Sequence, residues 1–301
     1  MLKRKDIRIR DPFILPNKES NMYYLYGTTD ENVWDGIGCG FNAYKSEDLI
    51  HWQGPYSVFR PDNEFWADRH FWAPEVYKYH KKYYMFASFK ALNKHRGTQV
   101  LVSDSPLGPF KPHTPRPVTP SGWECLDGSL YIDNNETPWM IFSHEWVQVQ
   151  DGRICALQLT KDLKTSLGDP IVLLHASQAP WTRKMKDFVT DASVKGENNF
   201  LTDGPFIYKN KKGKLLMLWS SIGDKGYTLG IARSDSGKIQ GPWIHEEKPL
   251  ITENGGHGML FQTFEGKLFL TIHKPSISPD ERLTFFEVRE RKDSLELVLE
   301  Y

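Results

Sequence analysis

The chain has 301 residues, and its 38 Lys plus Arg balance 38 Asp plus Glu, so a zero formal charge gives no electrostatic reason for a nucleic-acid or anionic-membrane partner. No apolar run approaches the ~18 residues a membrane-spanning helix needs. Cys39, Cys125 and Cys155 are too few and too far apart for a disulfide framework or a thiolate zinc site, and read as small buried hydrophobes.

Met1-Leu2-Lys3-Arg4-Lys5-Asp6 opens the chain without the apolar core of a signal peptide. The expectation is therefore either a cytoplasmic protein or a periplasmic or secreted one whose signal has been trimmed. From there on helical periodicity is sparse. Short runs of Tyr, Phe, Val, Ile and Leu recur instead, bounded by Gly, Asn, Asp and Pro, and these predict strands and hairpins. In chain order they are Tyr23 to Tyr26, Lys82 to Ser88, Trp139 to Ser143, Leu215 to Ser220 and Lys267 to His273. Each is preceded by an opening tripeptide with a charged or polar residue beside Pro or Gly. The openings are Asp11-Pro12-Phe13, Ala73-Pro74-Glu75, Asp127-Gly128-Ser129, Asp203-Gly204-Pro205 and His257-Gly258-Met259.

The outer parts of the units repeat as well. Leu101-Val102-Ser103-Asp104 leads to Gly108-Pro109-Phe110, and Ala232-Arg233-Ser234-Asp235 leads to Gly241-Pro242-Trp243. Five units of roughly 50–75 residues, each with about four strands, predict an all-β, five-bladed β-propeller with four antiparallel strands per blade. Residues 1–301 then form one propeller, with blades opening near 11, 73, 127, 203 and 257. The irregular spacer from about Leu173 to Asn199 is long enough to be functional in its own right.

A propeller brings the starts of its innermost strands to one axis. Asp11, Glu75, Asp127, Asp203 and His257 would then crowd a small volume, where like charges disfavour joint ionisation and push pKa values apart. Turn-forming Asx residues capping strand starts would explain one such Asp, but three at matching positions point to chemistry. Glycoside hydrolysis needs two carboxyl groups on opposite sides of a sugar, and a central funnel can supply them.

Arg10-Asp11-Pro12-Phe13-Ile14, Trp72-Ala73-Pro74-Glu75-Val76, Leu126-Asp127-Gly128-Ser129 and Thr202-Asp203-Gly204-Pro205-Phe206, in this order, resemble glycoside hydrolase family 43. The resemblance spans roughly residues 6–290. It implies a five-bladed propeller that acts on arabinofuranosyl or xylosyl linkages of plant polysaccharides by a single inverting displacement. It also implies roles: Asp11 as general base, Asp127 as the residue that orients the acid and tunes its pKa, and the position of Asp203 as general acid. The family's acid is usually a Glu, and Asp is one methylene shorter. Either Asp203 serves with a shifted backbone, or Glu197 from the preceding loop swings in, or catalysis is weak. Another propeller glycosidase type, on galactan or fructan, and a non-catalytic carbohydrate-binding propeller are the rival readings. No cofactor is required. The resemblance also allows a water-mediated Ca²⁺ or Na⁺ at His257, against a hydrogen-bonded structural histidine.

Sugar sites pair aromatic platforms with fixed polar groups. The segment Phe65 to Trp72 is the densest source, so Trp66, His70 and Trp72, with Glu75, Trp123 and Arg233, are the expected contacts to an oligo- or polysaccharide. Trp34 and Trp181 sit in other long loops, while Trp52, Trp139, Trp219 and Trp243 are expected to pack between strands. The spacer before Asp203 and the loop at Trp66 would wall the funnel into a pocket, which favours exo action.

Overall fold

In the computed structural model, which describes residues 1–31, 33, 34, 36–185 and 198–301, five antiparallel sheets succeed one another along the chain. Blade 1 comprises β1 (Leu2–Lys3), β2 (Arg10–Asn17), β3 (Met22–Thr28), β4 (Phe41–Ser46) and β5 (His51–Phe59), with β1 added outside β5. Blade 2 comprises β6 (Arg69–Tyr79), β7 (Lys82–Ala91), β8 (Lys94–Ser103) and β9 (Lys111–Pro112). Blade 3 comprises β10 (Cys125–Ile132), β11 (Pro138–His144), β12 (Arg153–Leu159) and β13 (Ser166–His175), with the short helix α1 (Trp146–Val149) between β11 and β12. Blade 4 comprises β14 (Asp203–Lys209), β15 (Leu215–Gly223), β16 (Gly226–Ser234) and β17 (Trp243–His245). Blade 5 comprises β18 (Gly256–Gln262), β19 (Leu268–Lys274), β20 (Arg282–Glu290) and β21 (Leu295–Glu300). The first strands touch in the ring order β2, β6, β10, β14, β18 and back to β2. The five-bladed propeller expected from the repeat is the fold.

The apolar runs read from the sequence are the second strands of the blades. They are continuous rather than alternating because each blade is covered on both faces. In β15, Leu215, Met217 and Trp219 pack with Trp139 and Ile141 of blade 3, while Leu216 and Leu218 pack with Leu270 and Ile272 of blade 5. The core therefore lies between blades. Blades 2 and 3 meet through Phe86, Val100, Met140 and Phe142, and blades 5, 1 and 2 through Phe261, Tyr23, Phe41 and Phe89. Trp52 and Trp219 are fully buried and Trp139 nearly so, as their strand positions predict. Trp181 is buried too, 4.7 Å from the Trp219 ring, so it packs rather than offering a sugar platform. Cys125 and Cys155 are buried and unpaired; Cys39 is exposed.

Blade 5 meets blade 1 without sharing a strand; side-chain ion pairs and an isolated β-bridge between Arg8 and Arg282 close the ring. Arg10 Nη1 donates to Glu281 Oε1 at 2.9 Å, Arg8 Nε to Glu281 Oε2 at 3.5 Å, and the Ile9 amide to the Glu281 carbonyl at 3.3 Å. The Phe264 amide reaches the Tyr23 hydroxyl at 2.7 Å.

Candidate active site

Each first strand starts with the same irregularity. Arg10, Trp72, Leu126, Asp203 and Gly256 pair with Thr28, Ser88, Ser143, Ser220 and His273 of their own second strands, and the register then slips. The next residue of each bulge is in the left-handed region: Asp11 (φ 51), Ala73 (φ 46), Asp127 (φ 55), Gly204 (φ 49) and His257 (φ 50). A bulge bends its strand and re-aims the groups it carries. Here it points five backbone amides at the neighbouring blade. The Ala73 amide donates to Thr28 Oγ1 at 2.8 Å, Asp127 to Ser88 Oγ at 2.9 Å, His257 to Ser220 Oγ at 2.9 Å, and Asp11 to His273 Nδ1 at 3.1 Å. Gly204 departs from the pattern. Its amide goes to Asp127 Oδ2 at 3.0 Å, and the buried Ser143 hydroxyl finds no partner among the described residues.

Asp11, Asp127 and His257 thus hold one equivalent position. Glu75 stands two residues after it, at the end of its tripeptide, and Asp203 one before it, so the tripeptide at 203 alone is out of structural register with the other four. Asp203 still reaches the centre. Glu75 does not line the cavity: it is buried near enough to feel the charge of His257, hydrogen-bonded to Tyr77, which also contacts Ser129, and burial pushes its carboxyl up to about 7.

Asp11, Asp127, Asp203 and His257 line a cavity of about 700 Å³ at the mouth of the channel. His257 Nδ1 lies 3.1 Å from Asp11 Oδ1 and 3.7 Å from Asp127 Oδ2. Burial opposes its charge, yet Asp11 and Asp127 push its pKa up to about 10, so it is an imidazolium at neutral pH. Burial would raise Asp11 in turn, but the charge of the His257 imidazolium beside it, with that of Arg10, holds it well below the usual carboxylate range. Thr28 Oγ1 donates to Asp11 Oδ2 at 2.6 Å. His273 is fully shielded and, through burial and then Arg10, held down at about 3, hence neutral. Its Nδ1 accepts the Asp11 amide, which leaves Nε2–H for Ser276 Oγ at 3.2 Å. Asp127 moves the opposite way: burial and then Asp203 push it well above an ordinary carboxylate. A proton is thus held in the Asp127–Asp203 pair while Asp11 is ionised, so this one cluster offers both an acid and a base. Tyr227 donates its hydroxyl to Asp203 Oδ2 at 2.5 Å.

The walls are aromatic. Trp72 donates Nε1–H to the Val33 carbonyl at 2.6 Å, and the exposed Trp34 meets it edge-on at 5.4 Å. Arg10 lies 5.0 Å over Trp34, and Arg96 lies 4.3 Å over Trp72. Arg96 is buried in an ion pair with Glu145, and its other nitrogen donates to His70 Nδ1 at 2.8 Å. His70 stacks on Trp72 at 4.4 Å but does not line the cavity. It backs the platform.

Of the expected sugar contacts, then, only Trp72 borders the cavity. Trp66 turns toward Gln99, its Nε1 2.6 Å from Oε1, and Trp123 stacks on His144 at 4.1 Å. Arg233 is six residues along β16 from Tyr227, about 20 Å at ~3.3 Å per residue, and its Nε bonds Asp235 at 3.2 Å. Glu197 lies outside the described residues. Sequence reasoning missed Tyr227 and Arg96, which carry no local signal, and treated Arg10 only as a neighbour of Asp11. A short motif shows which residues adjoin, not which face each other across a channel.

Asp127, Asp203 and His257 each offer one ligand atom within 4.8 Å of the others. Calcium takes six to eight oxygen ligands, so these three groups would hold one only with waters completing its shell.

The family model described as Glycosyl hydrolases family 43 matches residues 6–288. The chain is similar to a crystal structure titled endo-arabinase from Bacteroides thetaiotaomicron, with 41% identity, 97% of this chain and 98% of that one covered, and a TM-score of 0.89. A thermostable family-43 glycoside hydrolase structure matches at 25% identity over 96% and 92% of the two chains, with a TM-score of 0.79. An extracellular exo-α-(1→5)-L-arabinofuranosidase of Cellvibrio japonicus is 22% identical over 308 aligned positions, 89% of this chain and 79% of that protein.

Proposed function

This chain belongs to glycosyl hydrolase family 43, and from that premise we propose that it cleaves arabinofuranosyl linkages inside α-1,5-arabinan by a single inverting displacement. The observation that carries the proposal is the meeting of Asp11, Asp127 and Asp203, from blades 1, 3 and 4, around one histidine at one cavity. Asp11, ionised, takes a proton from a water as the water oxygen bonds the anomeric carbon. The glycosidic C–O bond breaks, and the leaving oxygen takes the proton of Asp203. Asp127 accepts the Gly204 amide beside Asp203 and, pushed well above an ordinary carboxylate by burial and then by Asp203, keeps a proton next to the acid. His257 balances Asp11, and Trp34 and Trp72 offer faces for sugar rings. Oligo- or polysaccharide is the partner; a bound cation is not part of the proposal.

Arabinan is favoured over xylan because the 41%-identical structure is titled an arabinase. The same title favours internal cleavage, and the loop at Trp66, half the basis for a closed pocket, lies away from the cavity. The test is incubation of the purified protein with linear arabinan and with xylan. Arabinan should yield a ladder of oligosaccharides whose first-formed reducing ends, by proton NMR, carry the inverted anomer. Asp11→Asn should lower kcat/KM on the order of a thousandfold while still binding arabinan. A single monosaccharide product would replace endo with exo action, and retained stereochemistry would sink the mechanism.

A further inference from the structure

Tyr227 stands where this chain departs from its family. It is the second residue of β16, opposite Ile222, and its hydroxyl holds Asp203 Oδ2 at 2.5 Å. The ring does not owe its place to Asp203. It stacks on His273 of blade 5 at 5.5 Å with 16° between planes. A Cβ on Gly256 would come within 2.7 Å of its Cε1, so the absence of a side chain there makes room for it. Blades 4 and 5 together fix the phenol, which is 6% exposed and lines the same cavity. Asp203 is the half-buried partner tied to it.

A Glu at position 203 would carry its carboxyl about 1.5 Å farther, one C–C bond, toward the space this hydroxyl holds. We propose that Tyr227 is the positioning residue for the proton donor: its hydroxyl fills the place of the missing methylene, anchors one oxygen of Asp203 and turns the other toward the glycosidic oxygen. The inference rests on Asp203 being the acid. In the step, the Asp203 proton passes to the leaving oxygen as the C–O bond breaks, and the carboxylate left behind keeps the Tyr227 hydrogen bond. Tyr227 itself does not ionise. Burial and then Asp203 and Asp11 raise its phenol well above the ordinary value.

Tyr227→Phe tests this with two aryl glycosides of arabinofuranose, or of arabinobiose where wild type needs the longer chain. A mononitrophenyl group leaves with acid help; a dinitrophenyl group leaves without it. The expected loss in kcat on the mononitrophenyl glycoside is roughly tenfold to a hundredfold, with KM little changed. On the dinitrophenyl glycoside it should be at least several-fold smaller, and the basic limb of the pH profile should move up because the carboxylate form has lost its donor. Equal losses on both substrates, or none on either, would overturn the inference. Asp203→Asn on the same pair separates the two levels. If it shows no contrast between the aglycones, Asp203 is not the acid and the underlying mechanism fails. If it shows the contrast and Tyr227→Phe does not, only the role of Tyr227 fails. Asp203→Glu should be impaired alone and recover in part when combined with Tyr227→Phe; no recovery would refute the claim about space. Each ratio is read within one preparation, so incomplete folding of a variant does not mimic it.

Discussion

His257 shows how a single side chain sets the protonation of its neighbours. An imidazolium 3.1 Å from Asp11 and 3.7 Å from Asp127 keeps the first ionised in a place where burial alone would protonate it. Replacing it with Gln removes the charge and keeps a polar group of similar size. The Asp11 pKa then rises, so the acid limb of kcat/KM should move to higher pH, by roughly one to three units. Stability carries the same signature. A histidine whose folded pKa is raised to about 10 contributes stability that is fully present below its unfolded value near 6.5 and is lost as pH rises toward 10. The wild-type melting temperature should fall across that window and the His257→Gln curve should be flatter; parallel curves would refute the coupling. His257 was legible in the sequence as a residue of the repeat. The convergence of the blade starts also put Asp11 and Asp127 beside it; its charge was not legible, since that depends on burial and on separations of a few ångströms.

At the scale of an element, the bulge is what turns a strand start into a site. The same slip in register recurs in all five blades, and at Gly204 the left-handed residue also approaches its neighbour closely. A Cβ there would meet Cγ and Cδ2 of His257 at 2.8 Å. Gly204→Ala should therefore lower the unfolding free energy by roughly 1–3 kcal/mol in urea titration and lower kcat as well, because His257 must shift away from Asp11. Unchanged stability and rate would show that the ring at 257 has room to spare. The bulge also explains the one displaced tripeptide. Asp-Gly-Pro at 203 looks like Asp-Pro-Phe at 11, but pairing of Asp203 with Ser220 places it one residue earlier. In strands buried on both faces the apolar run is continuous, so an extra residue breaks no alternation that could be read.

The whole molecule is held together at its seam by side-chain ion pairs and an isolated β-bridge rather than by a shared strand. Glu281 is completely shielded and accepts Arg10, itself nearly buried, at 2.9 Å. Removing the carboxylate strands a cation inside the joint, which costs about 3–5 kcal/mol for a buried pair. Glu281→Ala should thus lower the melting temperature sharply in calorimetry. It should also reduce activity, because Arg10 adjoins Asp11 and lines the cavity. A variant as stable as wild type would mean that apolar packing alone closes the ring. The number of blades was legible because each unit must bury both faces of its sheet, which writes uninterrupted apolar runs into every second strand. The position of the seam was not, since Arg10 and Glu281 are 271 residues apart.

Strand, turn and repeat are set by neighbours in the chain and by the need to hide two faces of every sheet, so the sequence by itself determined the five blades and, through its motifs, the three carboxylates. Tertiary structure decided which rings face the cavity, Trp34 and Trp72 rather than Trp66 and Trp123, and which groups complete the site, the Tyr227 hydroxyl for Asp203 and the charge of His257 for Asp11. Those pairings join residues brought together only by packing, and packing chooses the direction in which a side chain points.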